Sequence, residues 1–185
     1  MKSVLAFVVM ATLAAQAVAG IPDLEPQNNT LAGAAPALMN PTPWADIGVL
    51  RLTPGDSDFI KIWLNAGDFL TAVTYPMDSA FDPDTVIALF DGSSPSALIW
   101  DDDSAIGLGS LIQWQPPTSG WYYLAVTGFH GFGGRNQLSY YEGATHLEDG
   151  LYTLVIGVSP VPEPASLLVL GTGVAALIGL RRRRG

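Results

Sequence analysis

Between residues 47 and 158, apolar residues recur at every second position or in short unbroken runs. The runs are 47–53, 58–64, 69–75, 85–90, 97–100, 111–115, 121–127 and 152–158, all rich in Val, Ile, Thr, Leu and aromatic residues. In the second run Ile60, Ile62 and Leu64 alternate with Phe59, Lys61 and Trp63. A period of two places alternate side chains on opposite faces, so one face of this strand is turned to a core. Turn formers separate the runs: Pro54-Gly55-Asp56, Asn65-Ala66-Gly67-Asp68, Asp91-Gly92 and Pro117-Thr118-Ser119-Gly120. No sustained helical period is found between the two ends of the chain. The pattern predicts an all-β domain, a jelly-roll-like β-sandwich of about eight strands.

The ends read differently. Residues 1–19 open with Met1-Lys2, continue through an apolar run at 4–15 and close on Ala17-Val18-Ala19. One positive charge, a short apolar stretch and a small-x-small exit are the marks of a secretory signal peptide, so the mature chain is expected to begin at Gly20. The other end, residues 161–185, reads Val161-Pro162-Glu163-Pro164-Ala165-Ser166, then an apolar stretch at 167–180, then Arg181, Arg182, Arg183 and Arg184 before Gly185. As a helix, residues 165–180 extend ~24 Å, slightly short of a ~30 Å hydrocarbon core. Snorkelling arginines make up the difference. Four guanidinium groups hold that end in the cytoplasm as a membrane stop, leaving the preceding domain outside. The expectation is a single C-terminal transmembrane helix following one domain at 20–160.

Pro162-Glu163-Pro164, a short apolar helix and a terminal arginine cluster, in that order, closely resemble the PEP-CTERM sorting signal. The resemblance implies a Gram-negative bacterium that makes exopolysaccharide. It also implies an exosortase as processing partner alongside signal peptidase, with Pro162, Glu163 and Pro164 as the sorting and cleavage motif rather than a catalytic site. Two prolines keep that motif extended and free of internal hydrogen bonds, the form a protease cleft accepts.

Charge and cysteine content narrow the picture. The chain has no cysteine, so an exported domain has no disulfide framework and no thiol chemistry. Residues 20–160 carry three basic residues (Arg51, Lys61 and Arg135) against sixteen acidic ones, a formal balance of −13. Such a domain repels nucleic acid, which is excluded as a partner, and attracts cations. Thirteen of the sixteen acids are aspartates, residues suited to turns and calcium shells.

The domain resembles the bacterial pre-peptidase C-terminal domain, a β-sandwich found on secreted peptidases and surface proteins. The matching stretches are Asn28-Asn29-Thr30-Leu31-Ala32, Gly55-Asp56-Ser57-Asp58-Phe59-Ile60, Asn65-Ala66-Gly67-Asp68, Asp84-Thr85-Val86-Ile87-Ala88-Leu89-Phe90-Asp91 and Asp101-Asp102-Asp103-Ser104, followed by residues 117–126. Residues 128–149 depart from it and form an extra glycine-rich loop. In the collagenase-linked members an N-terminal acid, an Asn-Asp pair and an Asp-x-Asp turn surround calcium. The resemblance therefore implies a calcium (Ca2+) site at Glu25, Asn28, Asn29, Asp56 and Asp58. The competing reading of these residues is as turn and cap formers. Asp101-Asp102-Asp103 reads as a solvated hairpin tip, although a loop could fold Asp101 and Asp103 onto one ion.

Enzyme signatures are lacking. The two histidines, His130 and His146, both lie in the extra loop, and no serine stands in a nucleophile-elbow context. The expected function is that of a non-catalytic surface or extracellular-matrix protein whose sandwich binds exopolysaccharide, protein or calcium. Trp44, Trp63, Trp100, Trp114 and Trp121 are candidates for sugar stacking, although large aromatics usually serve the core. The alternatives are a secreted hydrolase of cell-surface glycan or peptide, and a spacer without a ligand.

Overall fold

The computed structural model describes residues 20–37, 42–77 and 82–160. Nine strands occur among them: β1 (Ala35–Pro36), β2 (Trp44–Leu52), β3 (Ser57–Leu64), β4 (Asp68–Pro76), β5 (Thr85–Phe90), β6 (Ile99–Asp101), β7 (Leu111–Trp114), β8 (Gly120–Gly128) and β9 (Gly150–Pro160). They form two sheets, of order β1-β3-β8-β5-β6 and β2-β9-β4-β7. Apart from the short parallel β1, the chain distributes its strands between two antiparallel four-stranded sheets in jelly-roll order.

The period-2 pattern explains the packing. In β2, Trp44, Asp46, Gly48, Leu50 and Leu52 point inward while the intervening residues face solvent. Ile60, Ile62, Leu64, Leu70, Ile87, Leu89, Leu124, Leu154 and Ile156 fill the space between the sheets. Removing each such side chain from water contributes about 1.5–3 kcal/mol. All six residues of β5 are buried, which requires cover on its outer face as well. That cover is a second core, in which Phe59, Val86, Ala88, Phe90 and Ala125 pack beneath Tyr140 and Tyr141. The Phe90 and Tyr141 rings meet edge to face at 5.5 Å.

Tyr140 and Tyr141 lie on α1 (Leu138–Glu142), inside the segment read from sequence as loop. Five residues are too few to display a helical period, and it is burial of the two tyrosines that holds the turn on the sheet. The strand expected at 97–100 forms instead as β6, one or two residues later. Asp101-Asp102-Asp103 is only in part a solvated tip: Asp103 is exposed, whereas Asp101 and Asp102 are half-buried. Asp101 ends β6, and its carboxylate accepts from the Ser104 amide, the Ser104 hydroxyl and the Leu111 amide. Asp102 is half-buried and pairs with Arg135. The Asp102 contact has no sequence signature, because Arg135 arrives from the extra loop 33 positions away, whereas Asp101 closes a local turn with Ser104.

Register defines two ends of the sandwich. Leu52 opposes Gly150, and β2 turns into β3 at residues 53–56, so this loop end gathers the 53–56 turn, the 102–110 loop and the extra loop. Asp68 opposes Pro160 and Leu64 opposes Gly120 at the other, tail end. The signal-peptide segment 1–19, the sorting motif at Pro162, Glu163 and Pro164, and the arginines 181–184 lie outside the described residues. Among the described residues no helix is long and apolar enough to cross a membrane.

Candidate metal centre

The head of β3 carries the site. Residues 53–56 form a tight turn in which Gly55 has φ +82°, a conformation that favours glycine, and the Asp56 amide donates to the Thr53 carbonyl at 3.0 Å. The next residues, Ser57 and Asp58, enter the strand fully buried. Alongside runs the N-terminal segment, held to the edge of β2 by the Ile21 amide on the Ile47 carbonyl at 3.1 Å. It is also held to β3 by the Phe59 amide on the Asn28 carbonyl at 2.8 Å. Two segments some thirty residues apart thereby bring their acids together.

The carboxylate oxygens of Asp23, Glu25 and Asp58 lie within 4.8 Å of one another. Asp58 is fully buried; it accepts from the Asn28 side-chain amide at 2.6 Å and from the Tyr152 hydroxyl at 2.6 Å. The Asn29 and Asp56 side chains neighbour Glu25 and act on its titration, Asn29 lowering and Asp56 raising it. Asp56 differs in that one oxygen accepts from the Ser57 amide at 2.8 Å and the other from the Thr53 amide at 3.4 Å. It is therefore both a turn cap and the neighbour of Glu25. Of the five sequence-predicted residues, Glu25 and Asp58 lie in the converging group, Asn28 is bonded to Asp58, and Asn29 and Asp56 stand beside Glu25. The structure adds Asp23, whose only sequence signal is its place two residues before Glu25.

Electrostatics follow from this crowding. Burial, then repulsion from Asp56 and Asp23, pushes Glu25 from its ordinary 4.5 up to about 7. Burial also raises Asp56. Burial drives Asp58 well above the carboxylate range, partly opposed by the Tyr152 hydroxyl. Among the described residues no lysine or arginine pairs with the cluster; Arg51 pairs with Asp149 and Arg135 with Asp102. Crowded carboxylates of this kind are stabilised by a proton or a cation. The donor set fits a hard cation, which takes six to eight oxygens from carboxylates and amide carbonyls. The side-chain oxygens of Asn28 and Asn29 are buried with no hydrogen donor among the described residues, which is the state of an oxygen suited to a metal.

A second acidic group forms at the same end from Asp84, Asp102 and Asp103. Burial, then Asp102, Asp103 and Glu148, raises Asp84 to about 6. Arg135 neutralises part of this charge through Asp102 and lies against the rings of Trp100, Phe132 and Phe129. The extra loop thus anchors this cluster. It also reaches the first site, because His146, buried at 2% exposure, hydrogen-bonds through Nε2 to the Asp56 carbonyl at 2.7 Å.

The five tryptophans divide. Trp44 is core and Trp114 packs against the core. Trp63 and Trp121 share the outer face of the larger sheet, their rings edge to face at 5.3 Å, with the Lys61 ammonium 4.4 Å from the Trp121 ring centre. Trp100 is engaged with Arg135.

Residues 56–128 match the family model of the bacterial pre-peptidase C-terminal domain, and residues 160–184 match that of the PEP-CTERM protein-sorting motif. No curated protein matches the chain. Among solved structures, Aeromonas hydrophila PliG, a periplasmic inhibitor of g-type lysozyme, is similar at 15% identity over 67% of this chain and 94% of that one, with a TM-score of 0.47. Salmonella Typhimurium PliG is similar at 14% identity over 68% and 97%, with a TM-score of 0.41. The pre-peptidase C-terminal domain of a Bacillus anthracis collagenase is similar at 14% identity over 64% and 81%, with a TM-score of 0.31. With the domain match beginning at Asp56 and the sorting match covering the C-terminal end, this chain carries a bacterial pre-peptidase C-terminal domain at residues 56–128 and a PEP-CTERM protein-sorting motif at residues 160–184, a motif that implies export via an exosortase.

Proposed function

We propose that the protein is a non-catalytic surface or matrix component whose sandwich binds calcium at Asp23, Glu25, Asn28, Asn29, Asp56 and Asp58. On this reading signal peptidase removes residues 1–19. The tail then holds the chain in the membrane until an exosortase acts at Pro162-Glu163-Pro164, leaving the domain among exopolysaccharide at the cell surface. The observation that carries the calcium reading is the meeting of three carboxylates within 4.8 Å beside two buried amide oxygens that have no donor among the described residues. Bound calcium would supply the positive charge that the cluster lacks, and Asp58, fixed by Asn28 and Tyr152, would need no rearrangement to meet it. The ion's role is then structural: it ties the N-terminal segment to the head of β3.

Two measurements test this. Isothermal titration of the chelator-treated protein with calcium is expected to show one saturable site at submillimolar to millimolar affinity, about the range of extracellular modules. Absence of any heat and an unchanged melting point at 10 mM calcium, roughly 10–100 times such a dissociation constant, would refute it. Mass spectrometry of protein from culture supernatant is expected to find a C-terminus near residues 161–164. An extracellular form that retains Arg181–Arg184 would refute processing.

The second reading, a hydrolase of cell-surface glycan or peptide, is favoured by one feature. Asp84, held near 6 beside Asp102 and Asp103, is placed where a general acid is useful. Release of reducing sugar or peptide from envelope material, abolished by Asp84→Asn, would establish that reading in place of the first.

A further inference from the structure

We infer that the outer face around Lys61, Trp63, Trp121 and Tyr123 docks on the anionic bilayer interface while the tail holds the chain there. This rests on the membrane-held stage of the proposed function and adds an orientation to it.

Position comes first. Trp63 is one residue from the end of β3, and the following turn leads to Asp68, which opposes Pro160, the last described residue. Trp121 opposes Trp63 directly, and Tyr123 opposes Lys61. The indole pair therefore lies at the end of the sandwich from which the tail departs. Only residues 161–164 separate Pro160 from the apolar segment, and four extended residues reach at most ~14 Å. A membrane entered by that segment is thus at most ~14 Å from Pro160, little more than the ~10 Å that separates its sheet from the one bearing the indoles.

Chemistry fits that neighbour. Trp63 and Trp121 are 39% and 40% exposed despite their size. Indole and phenol rings favour the headgroup level, where an apolar body and a polar edge are both satisfied. Lys61 stands over the Trp121 ring at 4.4 Å and within 5.8 Å of Tyr123. Arg51 and Arg135 are each taken by an aspartate, whereas no carboxylate pairs with Lys61 among the described residues. The turns at this end, 65–67 and 115–119, carry no charge.

Acid placement favours the same orientation. Of the acids at the tail end, Asp46 and Asp68 are 1% and 5% exposed. Asp68 accepts from the Asn65 amide and from Thr42, and Asp91 from the amide and hydroxyl of Ser93. Asp23, Glu25, Asp103, Glu148 and Asp149 stand at the loop end. Lys61 against Asp46, Asp68 and Asp91 leaves the tail end less negative than the loop end, so an anionic surface repels the loop end more strongly and the domain stands on its tail end with the calcium cluster pointing away.

The test uses the chain from Gly20 with its tail intact, in vesicles of phosphatidylethanolamine and phosphatidylglycerol whose acyl chains carry bromine, a quencher of indole emission. Flotation reports tail insertion; quenching reports docking. Wild type is expected to float and to lose up to about two-fifths of its emission, the share of two indoles in five. Trp63→Phe/Trp121→Phe is expected to float with little quenching. Lys61→Glu, which keeps both indoles and guards against a misfolded double variant, is expected to cut the quenching about twofold or more. Flotation without quenching overturns the docking and leaves tail insertion standing. Failure to float overturns insertion and docking together. Indole changes with a soluble anionic polysaccharide, and none with vesicles, overturn the lipid assignment in favour of a glycan.

Discussion

Consider Glu25→Gln in protein stripped of cations. Glu25 is raised from 4.5 to about 7 in the folded state by burial and by repulsion from Asp56 and Asp23. Each tenfold change in proton affinity is worth about 1.4 kcal/mol, so the full rise is worth about 3 kcal/mol; the side chain is largely exposed, and solvent screening roughly halves that to about 1.5 kcal/mol. The sign is set by which state holds the proton. Below about pH 4.5 the folded and unfolded chains both hold it and Glu25 costs nothing. Between 4.5 and about 7 the unfolded chain releases a proton that the folded chain keeps, and stability falls; above about 7 the whole cost is present. Glutamine carries no such cost. The variant is therefore expected to melt level with wild type at pH 4 and above it at pH 8. With an unfolding entropy of about 2.1 cal/mol/K per residue over the domain, 1.5 kcal/mol corresponds to about 5 °C. Calcium should close the gap, because the variant has lost a charged ligand. At roughly 100 times the dissociation constant wild type gains about 2.7 kcal/mol, or about 9 °C, while a tenfold weaker site gains about 1.4 kcal/mol. Differential scanning calorimetry at pH 4 and pH 8, with chelator and with 10 mM calcium, reads all four arms. A variant that melts at or below wild type at pH 8 without calcium would refute the crowding. Equal calcium-induced rises in the two proteins would refute ligation by Glu25.

Three further outcomes are expected. Arg135→Met removes the partner of Asp102 in a pair whose side chains are only 15% and 13% exposed, leaving that carboxylate beside Asp84 and Asp103. A loss of about 3 kcal/mol is expected in urea unfolding, and less than about 1 kcal/mol would mean the pair behaves as a surface one. Tyr152→Phe deletes the hydroxyl that donates to Asp58 at 2.6 Å and should cost about 1.5–3 kcal/mol without calcium, measured by the same unfolding curves. An unchanged midpoint would show that Asn28 satisfies Asp58 without the hydroxyl. Gly128→Ala places a methyl 2.5 Å from Nδ1 of the buried His146 and should destabilise by about 1–3 kcal/mol, with a chemical-shift change at His146 that a remote effect would not produce.

The sequence by itself determined whatever depends on near neighbours. Alternation in β2 and β3, the turn formers between strands and the lack of helical period identified a sandwich, because strand periodicity is a property of successive residues. The sorting tail is legible for the same reason, its order of motif, apolar run and arginines being linear. The nearness of Glu25 to Asp58 was suggested only through a family resemblance, not by any local pattern. Tertiary structure alone decided the contacts that cross between segments. Trp63 meets Trp121 because β3 and β8 pair in that register, 58 positions apart. Asp102 acquires Arg135, and Asp56 acquires His146, because the extra loop folds back over the loop end. Asp23 joins the cluster because the N-terminal segment lies along β2. No local pattern encodes such meetings: they follow from which strands pair, a choice set by burying both faces of β5 and of the adjoining parts of β3 and β8, and one face of β2, β4 and β9, at once.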